Sequence, residues 1–385
     1  MDGSRTGSSM MGGNGEVGTA KGAAEARDRG AAVEQHIAAT ASLSESLLRG
    51  VDTALDEVSN VNLSTHLLSV NARIEAARAG TAGGSFAVVA TEMNRLSGEV
   101  KSLTVRLRGD AHETGRQMRH AVEGYVTQVR DARLCELALT NIDLIDRNLY
   151  ERSCDVRWWA TDAAAVDCVR DPNDTHRQHA GRRLGQILDS YTVYSDLVLV
   201  DVDGRVLANG RPGQFASVGM GVADADWFHQ AMASSDGSVF GVSTVHPSAL
   251  VNGKRVLVYS CAVREGGNVR GKVLGVLGIL FDWDALAVTI ARRTPLTVDE
   301  WTRTRVCIID GTGRVLADSQ QDGTPQLDIS AWKTLLKQPR SSAVLRIEGR
   351  ETCVAHAASP GYETYRSGWH SLILQQVGAN PARTH

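Results

Sequence analysis

The first proline of this chain is Pro172, and all 8 prolines lie at or beyond it. Proline removes a backbone donor and clashes with the preceding turn, so the proline-free stretch permits very long helices. Its apolar residues recur at helical spacing. Phe86, Val89, Met93, Leu96, Val100, Leu103 and Leu107 alternate steps of three and four, the pattern of a coiled-coil seam. Leu48, Val51, Leu55 and Val58 do the same, and Leu63, Leu67, Val70, Ile74 and Ala77 continue after a one-residue slip. Between the two rows stand Gly80, Gly83 and Gly84, which tolerate positive φ and suit a tight reversal. The pattern predicts a long antiparallel helical coiled-coil hairpin over residues 23–134 with its tip near 80–84. One hairpin cannot bury both apolar faces, so a homodimeric four-helix bundle is expected. Interior glycines at Gly50, Gly98, Gly109 and Gly115 each cost up to about 1 kcal/mol of helix propensity, which leaves a deformable rod.

Residues 1–22 are rich in Gly and Ser and lack the apolar core of a signal peptide, so they are expected to be a disordered leader. The most apolar later stretch carries Asp282 and Asp284, which a bilayer-spanning helix would tolerate poorly. No membrane span is expected, and a cytoplasmic location follows. The net charge of -3 comes from interspersed acids and bases, which argues against nucleic acid as a partner. The 6 cysteines are scattered without a C-x-x-C pair, as in a protein with reduced thiols.

Beyond residue 134 the composition changes. Cys135 to Val169 still reads as helix, now with aromatic residues, until "DPND" stops it. Short β-rich runs follow, separated by Gly, Asn and Asp. "LVLVDVDGRVLAN" (Leu197 to Asn209) and "VCIIDGTGRVLAD" (Val306 to Asp318) repeat one pattern, strand, tight turn, strand, and share "GRVLA". The last strand is expected in "GWHSLILQQV". The predicted class is multidomain, α then α+β: the hairpin, then residues 135–380 with a long leading helix and two antiparallel-sheet modules, about 185–290 and 300–380.

"LLSVNARIEAARAG", the glycine turn and "FAVVATEMNRL" resemble the signalling tip of methyl-accepting chemotaxis proteins over about fifty residues. Residues 135–380 resemble a double Cache (PAS-like) sensor, through the repeat, "ADADWFHQA" and the closing "GW" strand. The resemblance implies a chemoreceptor-like transducer whose tip docks the chemotaxis histidine kinase CheA and the coupling protein CheW, with homodimers grouping as trimers of dimers. Asn71, Glu75, Arg78, Val88 and Val89 stand at the matching contact positions. Glu75 and Arg78, three apart, share a helical face and can make charge-assisted contacts across dimers. The chain also departs from the family. Thr81 stands where Glu is usual, Gly84 and Asn94 where Arg is usual, and Ser64 and His66 replace Gln and Asn. Methylation candidates such as Glu34 and Glu57 lack the surrounding motif. Cache usually precedes the signalling helices and lies outside the membrane; here it follows them, so the sensed small molecule is expected to be intracellular.

Recognised chemistry is scarce. "GGNVRGKV" falls short of a phosphate-binding loop because Val273 stands where Ser or Thr would hold magnesium, and it reads as a hairpin turn. His176 and His179 share a helical face without a third metal ligand. No hydrolase, metalloprotease or kinase motif occurs, so neither an enzyme nor a cofactor is expected. Ligand-pocket candidates are the stacking surfaces of Trp227 and Phe228, the hydroxyls of Tyr194 and Tyr259, and the carboxylates of Asp236 and Asp282. Amino-acid-sensing Cache modules carry Arg and Asp where this chain has Ala225 and Leu280, which argues against the usual amino-acid recognition. The other reading is a dimeric scaffold or binding protein with a degenerate receptor tip.

Overall fold

The computed structural model describes residues 14–321, 323–330 and 332–377, with helix side chains from Ala39 onward apart from Ala41. Residues 1–13 of the expected leader, and the side chain of Glu34, lie outside the described residues. The chain forms two compact units, Met1–Arg130 and Asp131–His385.

The first unit contains α1 (Asn14–Arg78), a 3-10 turn (Gly80–Gly83) and the first part of α2 (Gly84–Trp159). Helix α1 thus starts inside the stretch expected as leader. Contacts between the two helices step in opposite directions. Next to the turn a Cβ at Gly83 would collide with the carbonyl of Ala76. Further along, Asn62 Nδ2 donates to Ser97 O at 2.9 Å, and Arg108 meets Asp56 at 2.5 Å. Beyond these, His112 stands 3.2 Å from Asp52, and a Cβ at Gly115 would strike the Leu48 side chain. The two helices therefore run antiparallel, as the glycine-centred reversal predicts. Two of the three tip glycines have a demonstrable reason: Gly80 has φ 54, and Gly83 lets α2 approach Ala76. Gly84 begins α2 with ordinary helical angles and open space around it.

Most of the bulky row lies outside this hairpin, Leu55 being its one fully buried member among the described residues. From the turn into α2, Gly83, Ala90, Ser97 and Thr104 are buried at intervals of seven, and Gly115 is buried further along. On α1 the buried positions include Leu55, Ser69 and Ala76, with half-buried Asn62 at the intervening step. Small side chains at heptad spacing let the backbones approach closely, and the Asn62–Ser97 bond holds their register. Of the row expected as the seam, Phe86 is 73% exposed, Val89 58% and Leu96 54%, because it lies beside the line of closest approach.

The second unit continues from Asp131 along α2 to Trp159. The expected helix from Cys135 to Val169 breaks after Trp159, where Asp162 caps a new helix by accepting from Ala164 N at 3.0 Å. That helix is α3 (Ala163–Arg170), followed by α4 (Asp174–Asp189). The first sheet comprises β1 (Tyr194–Asp201), β2 (Val206–Asn209), β3 (Gly241–Val242), β4 (His246–Pro247), β5 (Arg255–Arg264) and β6 (Val273–Asp282), with α5 (Asp226–Met232) between β2 and β3. Helices α6 (Trp283–Arg292) and α7 (Val298–Trp301) lead to the second sheet: β7 (Thr304–Ile309), β8 (Val315–Asp318), β9 (Arg340–Ile347), β10 (Arg350–Ala358) and β11 (His370–Gln376).

The orders β2-β1-β6-β5-β3 and β8-β7-β11-β10-β9 are the same topology used twice. The repeat is local as well. A register shift falls between Leu199 and Val200 in one module and between Ile308 and Ile309 in the other. Asp201 Oδ1 accepts from Asp203 N and Arg205 N, and Asp310 Oδ1 from Thr312 N and Arg314 N, so both turns are closed by an aspartate. The glycine-rich 265–272 stretch is the β5–β6 hairpin turn, as expected.

One core runs through both modules along α2. Leu134, Ile142, Ile145 and Leu149 of α2 are fully buried with Leu197, Ile279, Phe281, Ile308 and Ile373 of the sheets. Each such side chain contributes roughly 1.5–3 kcal/mol. Asp146, also fully buried, accepts from Ser359 Oγ at 2.5 Å, Gly361 N at 2.8 Å, Ser367 N at 3.3 Å and Ser367 Oγ at 2.6 Å. It thereby ties the 359–367 loop to α2. The opposite face of each sheet has its own smaller core.

Candidate functional sites

At the hairpin tip, Asn71, Glu75, Arg78, Val88 and Val89 are all exposed. Asn71, Glu75 and Arg78 are spaced four and three apart, so they form one stripe on the last turns of α1. Glu75 and Arg78 pair at 3.3 Å with 74% and 75% of their side chains exposed, which contributes at most about 0.5 kcal/mol to folding. Ala76 and Ala90 face inward, so the pair and the valines are free for other surfaces. The departures Thr81 and Gly84 are exposed too, whereas Asn94 is half-buried.

The six pocket candidates of the first module do not converge. Trp227 and Phe228 are buried core on one face of the sheet, with Val198, Val258 and Leu280. The Trp227 ring lies against Gly278, where a Cβ would meet ring carbons at 3.3 and 3.4 Å, so the indole itself fills the space over the strands. Tyr194 and Tyr259 are buried on the opposite face, in the core shared with α2. Tyr259 Oη bonds Tyr365 Oη at 2.9 Å, and Tyr194 Oη donates to Asp155. Burial pushes the Tyr194 and Tyr259 hydroxyls well above the usual phenol range, which keeps both protonated. Asp236 sits in an exposed turn, accepting from Ser238 N at 2.8 Å and Ser238 Oγ at 2.5 Å, bonds that lower its pKa. Asp282 caps α6 by accepting from Ala285 N at 3.1 Å and stands 3.7 Å from Lys254. Asp236 and Asp282 therefore serve local structure, and the structure does not bring the six residues together around one cavity.

The structure instead gathers aromatic rings and arginines around α2. Arg147 lies over Tyr362 at 4.5 Å, Arg152 over Tyr194 at 5.1 Å and Phe281 at 5.7 Å, and Arg157 over Phe240 at 5.7 Å. Arg152 is buried, stands 3.6 Å from Asp155, and reaches Glu151 at 2.7 Å. Burial raises the Asp155 carboxyl against the opposing pull of Tyr194 and Arg152. Sequence reasoning missed this cluster, since its rings come from distant strands and loops. The available signal was Arg152 and Asp155 three apart on one face of α2, next to its aromatic residues.

Two cavities lie beside equivalent strands of the repeat. One, of about 730 Å³, is lined by Arg177, Gly181 and Gly185 of α4 and by Ala208 and Asn209 of β2. The other, of about 390 Å³, is lined by Val288 of α6, Arg255, Arg314 and Ala317 and Asp318 of β8. None of the six chosen residues lines either cavity. The thiols of Cys168 and Cys261 are raised to about 11 and that of Cys307 to about 12, chiefly by burial, and stay protonated near neutral pH. Among the described residues, no three of His, Cys, Asp or Glu gather as a metal site.

Residues 17–138 match the methyl-accepting chemotaxis protein (MCP) signalling domain. The methyl-accepting chemotaxis protein HlyB of Vibrio cholerae is 36% identical over 76 residues, 20% of this chain and 14% of that protein. McpC of Bacillus subtilis, another methyl-accepting chemotaxis protein, is 43% identical over 53 residues, 14% of this chain and 8% of that protein. Among solved structures, the ligand-binding domain of the Pseudomonas fluorescens chemoreceptor CtaA, in complex with L-leucine, has 14% identity and a TM-score of 0.46, covering 66% of this chain and 97% of that one. The ligand-binding domain of the Pseudomonas aeruginosa amino-acid chemoreceptor PctC, in complex with GABA, has 17% identity and a TM-score of 0.47, covering 64% and 99%.

Proposed function

We propose that this chain is a chemotaxis signal transducer in which the hairpin tip docks the histidine kinase CheA and the coupling protein CheW, and the second unit senses a small molecule inside the cell. The observation that carries the proposal is the coincidence of a signalling-domain match over 17–138 with the exposed stripe Asn71, Glu75 and Arg78 and the exposed valines Val88 and Val89. A salt bridge this exposed does little for the fold, and apolar residues left in water beside it suit a partner. The bulky row left exposed on α1 and α2 would be covered by a second copy, giving a homodimer that can group into trimers of dimers. No described helix is long and apolar enough to cross a membrane, which accords with a cytoplasmic receptor. The protein acts by binding and relay, without catalysis or cofactor.

The reading is tested with the full chain, mixing it with purified CheA and CheW and measuring co-sedimentation and autophosphorylation. Wild type should bind and alter kinase output, and Arg78→Ala with Val88→Ser should lose both. Equal, negligible binding by wild type and variant would overturn it. That outcome would favour the scaffold reading, which the unusual Thr81, Gly84 and Asn94 support.

A further inference from the structure

In the second module two histidines face each other across neighbouring strands. His356 of β10 and His370 of β11 share a hydrogen bond, Nε2 to Nδ1, at 2.8 Å, with ring centroids 5.0 Å apart. His356 is fully buried. Its register partners are Ser341 on β9 and Leu372 on β11, and its second nitrogen lies 3.5 Å from Ser341 Oγ. That hydroxyl already donates to Leu335 O at 3.1 Å, which leaves a lone pair for a proton on His356 Nδ1.

We propose that the His356–His370 pair is a proton-operated latch that holds the β9, β10 and β11 side of this sheet closed while at most one of the two rings is charged. A bond between two imidazole nitrogens needs one hydrogen and one lone pair. Two neutral rings satisfy it, and so does a single added proton, because charged His370 can donate to neutral His356. Two charged rings would point hydrogens at each other inside an apolar layer, and the contact must open.

The surroundings set the order of protonation. His370 is the less buried ring; burial holds its pKa below the usual value, against Asp310, just after β7, which favours its charged form. Burial, with a smaller contribution from the charge of His370, lowers His356 to about 4. Few other charges face the pair. On β9, Arg340 is engaged by Glu136 of α2, and on the 335–337 turn Lys337 is exposed. On the far side of the sheet α2 presents Asp131, which accepts from Cys353 Sγ at 3.2 Å, and Cys135, whose raised thiol is neutral. Trp332, Leu335 and Leu336 complete the apolar layer. A group whose folded pKa is depressed holds its proton more tightly in the unfolded chain. The latch is therefore complete above about pH 6.5, and its contribution is lost as the pH falls towards about 4. This inference stands independently of whether the tip binds a kinase.

The test uses the full chain with histidines labelled with ¹⁵N. In NMR titration one ring should resist protonation well below the ordinary histidine range, and its signal should vanish in His356→Gln. Amide shifts of β9, β10 and β11 should move together as that ring finally titrates. His356→Phe, which fills the space and cannot be protonated, should weaken the acid-induced fall in melting temperature. Ordinary titration of both rings near 6.5 with unmoved strand amides would overturn the proposal, as would an unchanged acid profile in His356→Phe. If His356→Phe does not fold, the wild-type titration decides alone.

Discussion

The two units bury their chains in opposite ways. Inside the hairpin lie Gly83, Ala90, Ser97 and Thr104, while Phe86, Val89 and Leu96 stay in water. Inside the second unit lie Leu134, Ile142, Phe281 and Trp283, and its buried carboxylates Asp146 and Asp196 are supplied with donors. The second unit has closed its core within one chain, whereas the first has joined two helices through small residues and kept its bulky surface available. That difference suits a body that binds or senses and a rod that assembles.

The contrast should break most sharply at Asp146. Asp146→Ala would leave Ser359, Gly361 and Ser367 donors without their acceptor in a buried site. A loss of about 3–5 kcal/mol is expected in denaturant unfolding of the second unit, with the hairpin's helicity retained. Next in size is acid. Taking His356 from an ordinary 6.5 to about 4 implies that the second unit loses up to about 3 kcal/mol across that interval, read as melting temperature against pH. In the hairpin, Gly83→Ala puts a Cβ into the Ala76 carbonyl and should cost about 1–3 kcal/mol, seen as a lower helix melting temperature. The smallest effect belongs to Arg78→Ala, with at most about 0.5 kcal/mol on the same melt.

Much of this architecture was legible in the residues. The missing prolines and the glycine-centred reversal predicted the hairpin, and "GRVLA" repeated in two contexts predicted the paired modules, whose strand orders then proved identical. The inside of the hairpin differs from the expected seam because a helical row of large apolar side chains is a stronger periodic signal than Gly83, Ala90, Ser97 and Thr104 at intervals of seven. Closest approach selects for smallness, and single-chain periodicity does not say whether a bulky row meets its own partner helix or another copy. The six ligand candidates are dispersed for a different reason. In apolar strands such as β1, β5 and β6 both faces are buried, so the alternation that would tell one face from the other is absent. A register shift between Tyr194 and Asp196 further confuses parity, and Tyr194 proved to share its face with Phe281 rather than with Trp227.

The most direct test of the half-open hairpin is sedimentation equilibrium of the full chain at micromolar concentration, wild type beside Met93→Lys with Leu96→Lys. The account predicts a wild-type dimer and a variant that sediments as a monomer, its second unit still melting as in the wild type. A wild-type chain that is monomeric yet melts cooperatively through the hairpin would contradict it.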